Sequence, residues 1–377
     1  MEALLSKKQE NMEMTIKPVI DKPAGKPVVI AGPCSAEGEA QVLQTARELA
    51  QLGRVDLFRA GIWKPRTRPG SFEGVGTIGL SWLKKVKEET GLKVTTEVAK
   101  TQHVFEALKH GIDVLWLGAR TTVNPFSVQE VADAIKGVDI PVLVKNPINP
   151  DLKLWIGAIE RIYKAGVTRI GVIHRGFSYH GDTKYRNVPR WQIPIELKRQ
   201  FPDLQILVDN SHICGRRDIL QDVAQKALDL DYDGMMTEVH PNPDEAWSDA
   251  AQQITPSTFG QMLDKLQIRA LTSDDPEFRH SIEHLRHEID EIDEELINLL
   301  GRRMNLADDI GQYKKRNNIA ILQSDRWGEI LERAIAKGKM QGLSEDFITV
   351  FLKAVHQESI NHQEAIMAGK DDLITDA

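Results

Sequence analysis

The sequence predicts an α/β protein: a (β/α)8 barrel followed by an all-helical domain. Three observations carry this. Eight short apolar runs recur with helix-length intervals between them, each stops at a charged or hydrogen-bonding residue, and after Ser281 no strand-like run follows. At 377 residues the chain has room for a barrel of roughly 250 residues and a second domain of about 100.

In order, the runs are Val28–Gly32 before Cys34, Leu57–Phe58 before Arg59 and Lys64, Val94–Thr96 before Glu97, and Val114–Leu117 before Arg120. Then come Val142–Val144 before Lys145, Ile170–Ile173 before His174 and Arg175, Ile206–Val208 before Asp209 and His212, and Met235–Thr237 before Glu238. Helical periodicity fills the intervals, as in Ala40–Leu52, Thr101–Lys109 and Leu154–Ala165. Residues 1–26 read as a polar arm broken by Pro18 and Pro23, the barrel as 27–266 with a last helix at Ser257–Gln267, and 267–280 as a linker.

From Ser281 the period changes. Ile282, Leu285, Ile289, Ile292, Leu296, Leu299, Arg303, Leu306, Ile310 and Tyr313 alternate spacings of three and four, the seam of one helix of about 35 residues and roughly 50 Å. Helices at about Ser324–Lys339 and Ser344–Ala368 complete a domain over 281–369, with Ser344 as N-cap and 370–377 as a tail. So long a stripe cannot be buried within a three-helix monomer, so the module is expected to dimerise, with a tetramer as the larger alternative.

A net charge of −7 without a basic block argues against nucleic acid or an anionic membrane as partner. No apolar stretch approaches the ~20 residues of a membrane span, and the polar start is unlike a secretory signal. Two cysteines suit a reducing compartment, so cytoplasm is the expectation.

Arg59, Lys64, Arg66, Arg120, Lys145, Arg175, Lys184 and Arg186 crowd the strand ends and would form a positive cavity for a small phosphate- or carboxylate-bearing anion. Cys34, His212 and Glu238 follow strands 1, 7 and 8, neighbours in a closed barrel, and Asp249 lies in the loop after strand 8. A thiolate, an imidazole and two carboxylates suit a divalent transition metal such as Mn²⁺, Fe²⁺, Co²⁺ or Zn²⁺.

Ala31-Gly32-Pro33-Cys34-Ser35, Lys64-Pro65-Arg66-Thr67, Ser71-Phe72-Glu73-Gly74, Gly118-Ala119-Arg120 and Asp209-Asn210-Ser211-His212 resemble the type I 3-deoxy-D-arabino-heptulosonate 7-phosphate (DAHP) synthases, in the short-barrel subtype without an N-terminal regulatory domain. The resemblance implies metal-dependent condensation of phosphoenolpyruvate with erythrose 4-phosphate, Mn²⁺ being the first expectation. It places Cys34, His212, Glu238 and Asp249 on the metal; Arg59, Arg120, Lys145 and Arg175 on phosphoenolpyruvate; Lys64 at its carboxylate; and Arg66 and Thr67 on the aldose phosphate. Glu97 is the candidate for handling the water. The alternative is 3-deoxy-D-manno-octulosonate 8-phosphate synthase, whose pattern carries an Asn before the Arg where this chain has Pro65.

In the helical part, Arg303 on the seam with Arg286 and Lys314 beside it suggests a dicarboxylate pocket. Leu285-Arg286, Arg302-Arg303, Lys314, Asp325-Arg326, Glu358-Ser359 and Gln363 resemble the all-helical chorismate mutases over 281–367. That resemblance implies that Arg286 of the partner subunit, Arg303 and Arg326 hold two carboxylates, that Lys314 and Gln363 bind the ether oxygen, and that Ser359 takes a carboxylate. It departs at Trp327, where the family usually has a Glu that commonly contacts the substrate hydroxyl. The expected whole is a bifunctional enzyme whose mutase module also mediates feedback by prephenate or chorismate; the alternative makes that module a ligand-sensing and dimerising unit only.

Overall fold

The structure is a computed structural model, and it describes residues 14–23, 25–64, 70–270, 272–322 and 324–369, the side chains of 324 and 325 excepted. It divides into two compact units, Met1–Leu271 and Thr272–Ala377.

In the first unit, β1 (Val28–Gly32), β2 (Leu57–Arg59), β3 (Lys93–Val98), β4 (Val114–Leu117), β5 (Val142–Lys145), β6 (Ile170–His174), β7 (Gln205–Asp209) and β8 (Gly234–Glu238) form a closed parallel barrel in chain order. The helices outside it are α1 (Glu39–Gln51), α2 (Ile78–Thr90), α3 (Thr101–Lys109), α4 (Ala119–Thr122), α5 (Pro125–Ile135), α6 (Leu152–Lys164), α7 (Gln192–Gln200), α8 (Asn210–Cys214), α9 (Leu220–Asp229) and α10 (Pro256–Lys265). Strands covered on both faces read as unbroken apolar runs, which is why the eight were visible in the sequence. The barrel interior is filled by Ile30, Leu57, Trp116, Leu143, Leu207 and Met236, while Leu49, Leu83, Trp155 and Phe259 pack in the larger core.

Register decides the site. β1 pairs with β8 so that Gly32 lies opposite Glu238, and β7 pairs with β8 so that Asp209 lies opposite Met236. The three strands expected to supply metal ligands are therefore adjacent at their C-terminal ends. Several residues expected to follow strands are instead their last residues: Arg59, Lys145, Asp209 and Glu238 end β2, β5, β7 and β8, and Glu97 lies within β3.

The arm departs from expectation. Residues 1–13 lie outside the described residues, but Ile16 and Val19 are buried. Lys17 N–H donates to Thr168 O, and Gln205 Oε1 accepts from the backbone of Val19 and Ile20. Val19 packs with the barrel interior, so two apolar residues in a polar stretch anchor part of the arm to the N-terminal ends of the strands.

The second unit holds α11 (Pro276–Arg316), α12 (Ser324–Met340) and α13 (Glu345–Met367). α11 opens before Ser281, where the apolar seam begins, because Asp275 caps it and Pro276 sits in its first turn; the linker is correspondingly shorter than 267–280. Ser344 caps α13 as predicted, its Oγ accepting from Phe347 N–H at 3.2 Å. The tail, 370–377, lies outside the described residues.

Candidate functional site

Metal-type donors gather at the C-terminal ends of β1 and β8. The donor atoms of Cys34, Glu238 and Asp249 all lie within 4.8 Å of one another. Cys34 Sγ is 3.4 Å from Asp249 Oδ2 and accepts from Lys64 Nζ at 2.8 Å. His212, on the short α8, brings Nδ1 to 3.8 Å from Glu238 Oε1 and 2.8 Å from Asp209 Oδ2. Asp209 also caps that helix, its Oδ1 accepting from His212 N–H at 3.0 Å.

Local folding fixes these positions. Gly32 has φ +147°, and a Cβ there would lie 2.1 Å from Arg59 O, so β1 approaches β2 only with glycine. Asp249 is held in the left-handed region at φ +48°, a costly setting for a residue with a side chain. Its loop is tied to β1: Gln253 Nε2 donates to Ser248 O, Cys34 N–H donates to Gln253 Oε1, and Trp247 N–H donates to Glu37 Oε1.

The electrostatics suit a cation. Burial, then the charge of Glu238, pushes the Cys34 thiol up to about 12. Burial drives His212 towards the neutral ring against the pull of Asp209 and Glu238. Burial also opposes the charges on Glu238 and Asp249, but neighbouring positive charge keeps both acids low: a protonated His212 first in each case, then Arg59 and Lys64 around Glu238 and Arg186 and Lys64 around Asp249. Glu238 Oε1 and His212 Nδ1 are buried beside opposite charges, Arg59 Nη2 at 3.2 Å and Asp209 Oδ2 at 2.8 Å. Sulfur, nitrogen and carboxylate-oxygen donors gathered in one buried cluster fit a divalent transition metal.

Beside this cluster Lys64, Arg120, Lys145, Arg175 and Arg186 line a cavity of about 90 Å³, with Glu97, His212 and Asp249 on its wall. Larger clefts lie elsewhere on the barrel, but this one has convergent charge. Lys145 Nζ donates to Asp209 Oδ2 at 2.7 Å. Arg175 is pushed down to about 10, by burial first and also by Arg186 and Arg120, which a bound anion would relieve. Glu97 accepts from Trp116 Nε1 at 3.1 Å, and Gly118 leaves the space its carboxylate occupies.

Arg59, expected to bind substrate, does not line the cavity. It is 2% exposed, 3.2 Å from Glu238 Oε1 and 5.0 Å from the Trp116 ring, and it donates to Cys34 O. Conversely, Arg186, given no individual role from the sequence, bonds to Asp249 at 3.0 Å and to Gln252, which in turn donates to Glu238 Oε2. The structure thus brings together Cys34, Lys64, Glu97, Arg120, Lys145, Arg175, His212, Glu238 and Asp249. Arg66 and Thr67, with Pro65, lie outside the described residues.

In the helical unit Arg303, Ser359 and Gln363 meet between α11 and α13. Arg303 Nη1 donates to Ser359 Oγ and, at 3.4 Å, to Val355 O. Gln363 Nε2 donates to Ser359 O, leaving its Oε1 buried without a partner. Lys314 Nζ donates to Ile321 O. Arg286 and Arg326 are exposed, and Arg326 faces Glu329 on its own helix. Trp327 stacks on His356, ring centroids 4.2 Å apart and planes 13° apart.

A parallel barrel with metal-type donors and a cation-lined cavity at its strand ends has the features of an enzyme acting on a small anion. The chain belongs to the DAHP synthetase I family, whose model matches residues 11–272. Residues 285–364 match chorismate mutase type II, and the two domains together indicate a bifunctional shikimate-pathway enzyme with both activities. The phospho-2-dehydro-3-deoxyheptonate aldolase of Thermotoga maritima is 31% identical over 63% of this chain and 68% of its own length. A 2-dehydro-3-deoxyphosphooctonate aldolase of Acidithiobacillus ferrooxidans is 29% identical over 64% of this chain and 87% of its own. The crystal structure of the Thermotoga maritima DAHP synthase superposes with TM-score 0.59 at 30% identity, covering 66% of this chain and 72% of that one. Among the described residues no helix is long and apolar enough to cross a membrane.

Proposed function

We propose that the barrel condenses phosphoenolpyruvate with erythrose 4-phosphate in a metal-dependent reaction. The observation that carries this is the cavity of five cations opening beside Cys34, His212, Glu238 and Asp249, which would hold the metal. Mn²⁺ is the first expectation. When bound, the metal supplies Lewis-acid polarisation of the aldehyde oxygen. Lys145, Arg175, Arg186 and Arg120 hold the phosphate and Lys64 the carboxylate, with Arg66 and Thr67 taking the aldose phosphate. Arg59 acts from behind Glu238, keeping that carboxylate ionised and in place.

C3 of the enolpyruvate attacks the aldehyde carbon, water adds to C2, and phosphate leaves as its C–O bond to C2 breaks. Glu97 accepts the proton of the water, while the fixed cations stabilise charge at C2 and on the leaving phosphate. Phosphate release from phosphoenolpyruvate should require both erythrose 4-phosphate and a divalent metal, and Cys34→Ser should weaken metal binding at least tenfold by calorimetry. Metal-free turnover, or unchanged affinity in that variant, would overturn the reading. The relatives named as octulosonate aldolases make arabinose 5-phosphate the competing substrate, so both aldoses belong in one assay. Preference for the five-carbon sugar would reassign the barrel.

The helical unit is proposed to convert chorismate to prephenate as a dimer in which Arg286 arrives from the partner subunit. Arg303 and Arg326 hold the carboxylates with Ser359, and Lys314 and Gln363 stabilise the ether oxygen, so that catalysis is selection of the reactive conformer plus charge stabilisation. The clustered Arg303 and Ser359, with Gln363 beside them, support a polar ligand there. The same site is proposed to pass feedback by prephenate or chorismate to the barrel. Saturable prephenate binding without chorismate turnover would reduce the unit to a sensor.

A further inference from the structure

Trp327 and His356 stand outside every role assigned so far, yet they meet beside Arg303. His356 follows Val355, whose carbonyl accepts from Arg303, and precedes Ser359 by about one helical turn. Its Nε2 is buried and has no hydrogen-bond partner, although the ring is only partly covered. A buried ring nitrogen left without a partner is unfavourable, so a bound state that satisfies it is favoured. The Trp327 ring lies nearly parallel to the imidazole at 4.2 Å, which fixes the plane in which Nε2 points. Burial, then the neighbouring Arg303 charge, holds the ring neutral. A neutral imidazole beside a guanidinium adds a hydrogen-bonding atom without a second charge.

Arg303 already supplies what a carboxylate needs. The group left for His356 is therefore an uncharged hydroxyl on the same ligand. We infer that His356 Nε2 contacts the ring hydroxyl of the dicarboxylate bound in the helical unit, with Trp327 as the shelf that orients it. The pair thereby replaces the hydroxyl contact that Trp327 removes from the usual sequence pattern. His356 is then a specificity-determining residue. This rests on the mutase reading of the same site.

The test uses the full chain with chorismate and with the analogue whose ring hydroxyl is replaced by hydrogen. His356→Phe keeps an aromatic ring for the stack and removes Nε2; it should lower kcat/KM for chorismate about tenfold and bring the preference for chorismate over the analogue close to one. His356→Gln, which can place a side-chain amide near the Nε2 position, should recover most of that preference. Unfolding curves for both variants check that the helices remain intact. A His356→Phe protein that keeps the wild-type preference would overturn the inference, as would equal losses on both substrates with no recovery in His356→Gln. Wild-type protein with no chorismate turnover would overturn the mutase reading, and this inference with it.

Discussion

A methyl group on residue 118 would lie 2.0 Å from Glu97 Oε1, so Gly118→Ala must displace that carboxylate or distort β4. If Glu97 accepts the water proton, the variant should lose about 10- to 100-fold in synthase kcat while losing roughly 1–3 kcal/mol of stability. Steady-state phosphate release and a melting curve check this; unchanged kcat would remove Glu97 from the chemistry. His174 makes a different prediction. Its Nε2 donates to Pro189 O at 2.6 Å and its Nδ1 accepts from Tyr232 OH at 2.9 Å, so the neutral ring is satisfied on both sides. Burial, the largest cause, pushes its pKa down to about 3 from an ordinary 6.5. The unfolded chain therefore takes up a proton first as pH falls: the stabilisation is complete above about 6.5 and is lost progressively towards 3. His174→Gln should flatten the decline between about pH 6 and pH 4 by roughly 2 kcal/mol, measured by denaturant unfolding at both values. Identical slopes in wild type and variant would sink the assignment.

The seam of α11 is apolar and uncovered within one chain. Leu285, Ile289, Ile292, Leu296, Leu299, Leu306 and Ile310 are each about half exposed or more, while among the described residues the buried apolar side chains of the unit are Ala307, Ile348, Val355 and Ile366. Apolar area of that extent along one helix calls for a matching surface, and in the proposed dimer a second α11 would supply it. Leu296→Glu should halve the particle mass seen by sedimentation and lower kcat/KM for chorismate at least tenfold, since Arg286 would no longer reach the partner's site. A variant of unchanged mass would point to another covering surface. This seam and the eight strands were legible because period and apolar runs are local properties. The short helices α4 and α8 were not, since they depend on the Gly118 carbonyl and the Asp209 cap at the ends of their strands. Arg120 and His212 sit on those turns rather than in plain loops. That Cys34, Glu238 and Asp249 gather, with His212 beside them, was recoverable from residue type and strand order. The burial of Arg59 beneath Trp116 and the reach of Arg186 to Asp249 were not, because each depends on packing between elements far apart in sequence.

At the scale of the whole molecule, the two proposed sites for anionic ligands belong to separate compact units of one chain. Their reactions are not consecutive, so passing an intermediate from one to the other does not account for the fusion. The proposed feedback would: a ligand of the helical unit that favours one state of the full chain would change the barrel's affinity for its own substrate, and that substrate would change the ligand's affinity by the same factor. Cutting the chain at Ser273 tests this. The released barrel should retain condensation but lose inhibition by prephenate, whereas the intact protein should show prephenate raising the apparent KM or lowering kcat. The reciprocal measurement is stricter. In the intact protein, phosphoenolpyruvate should weaken prephenate binding by the factor with which prephenate weakens phosphoenolpyruvate binding, typically about 5- to 150-fold, and calorimetry can read both. A cut barrel still inhibited by prephenate would place the effector site on the barrel and leave the helical unit with its mutase chemistry and its dimer seam alone.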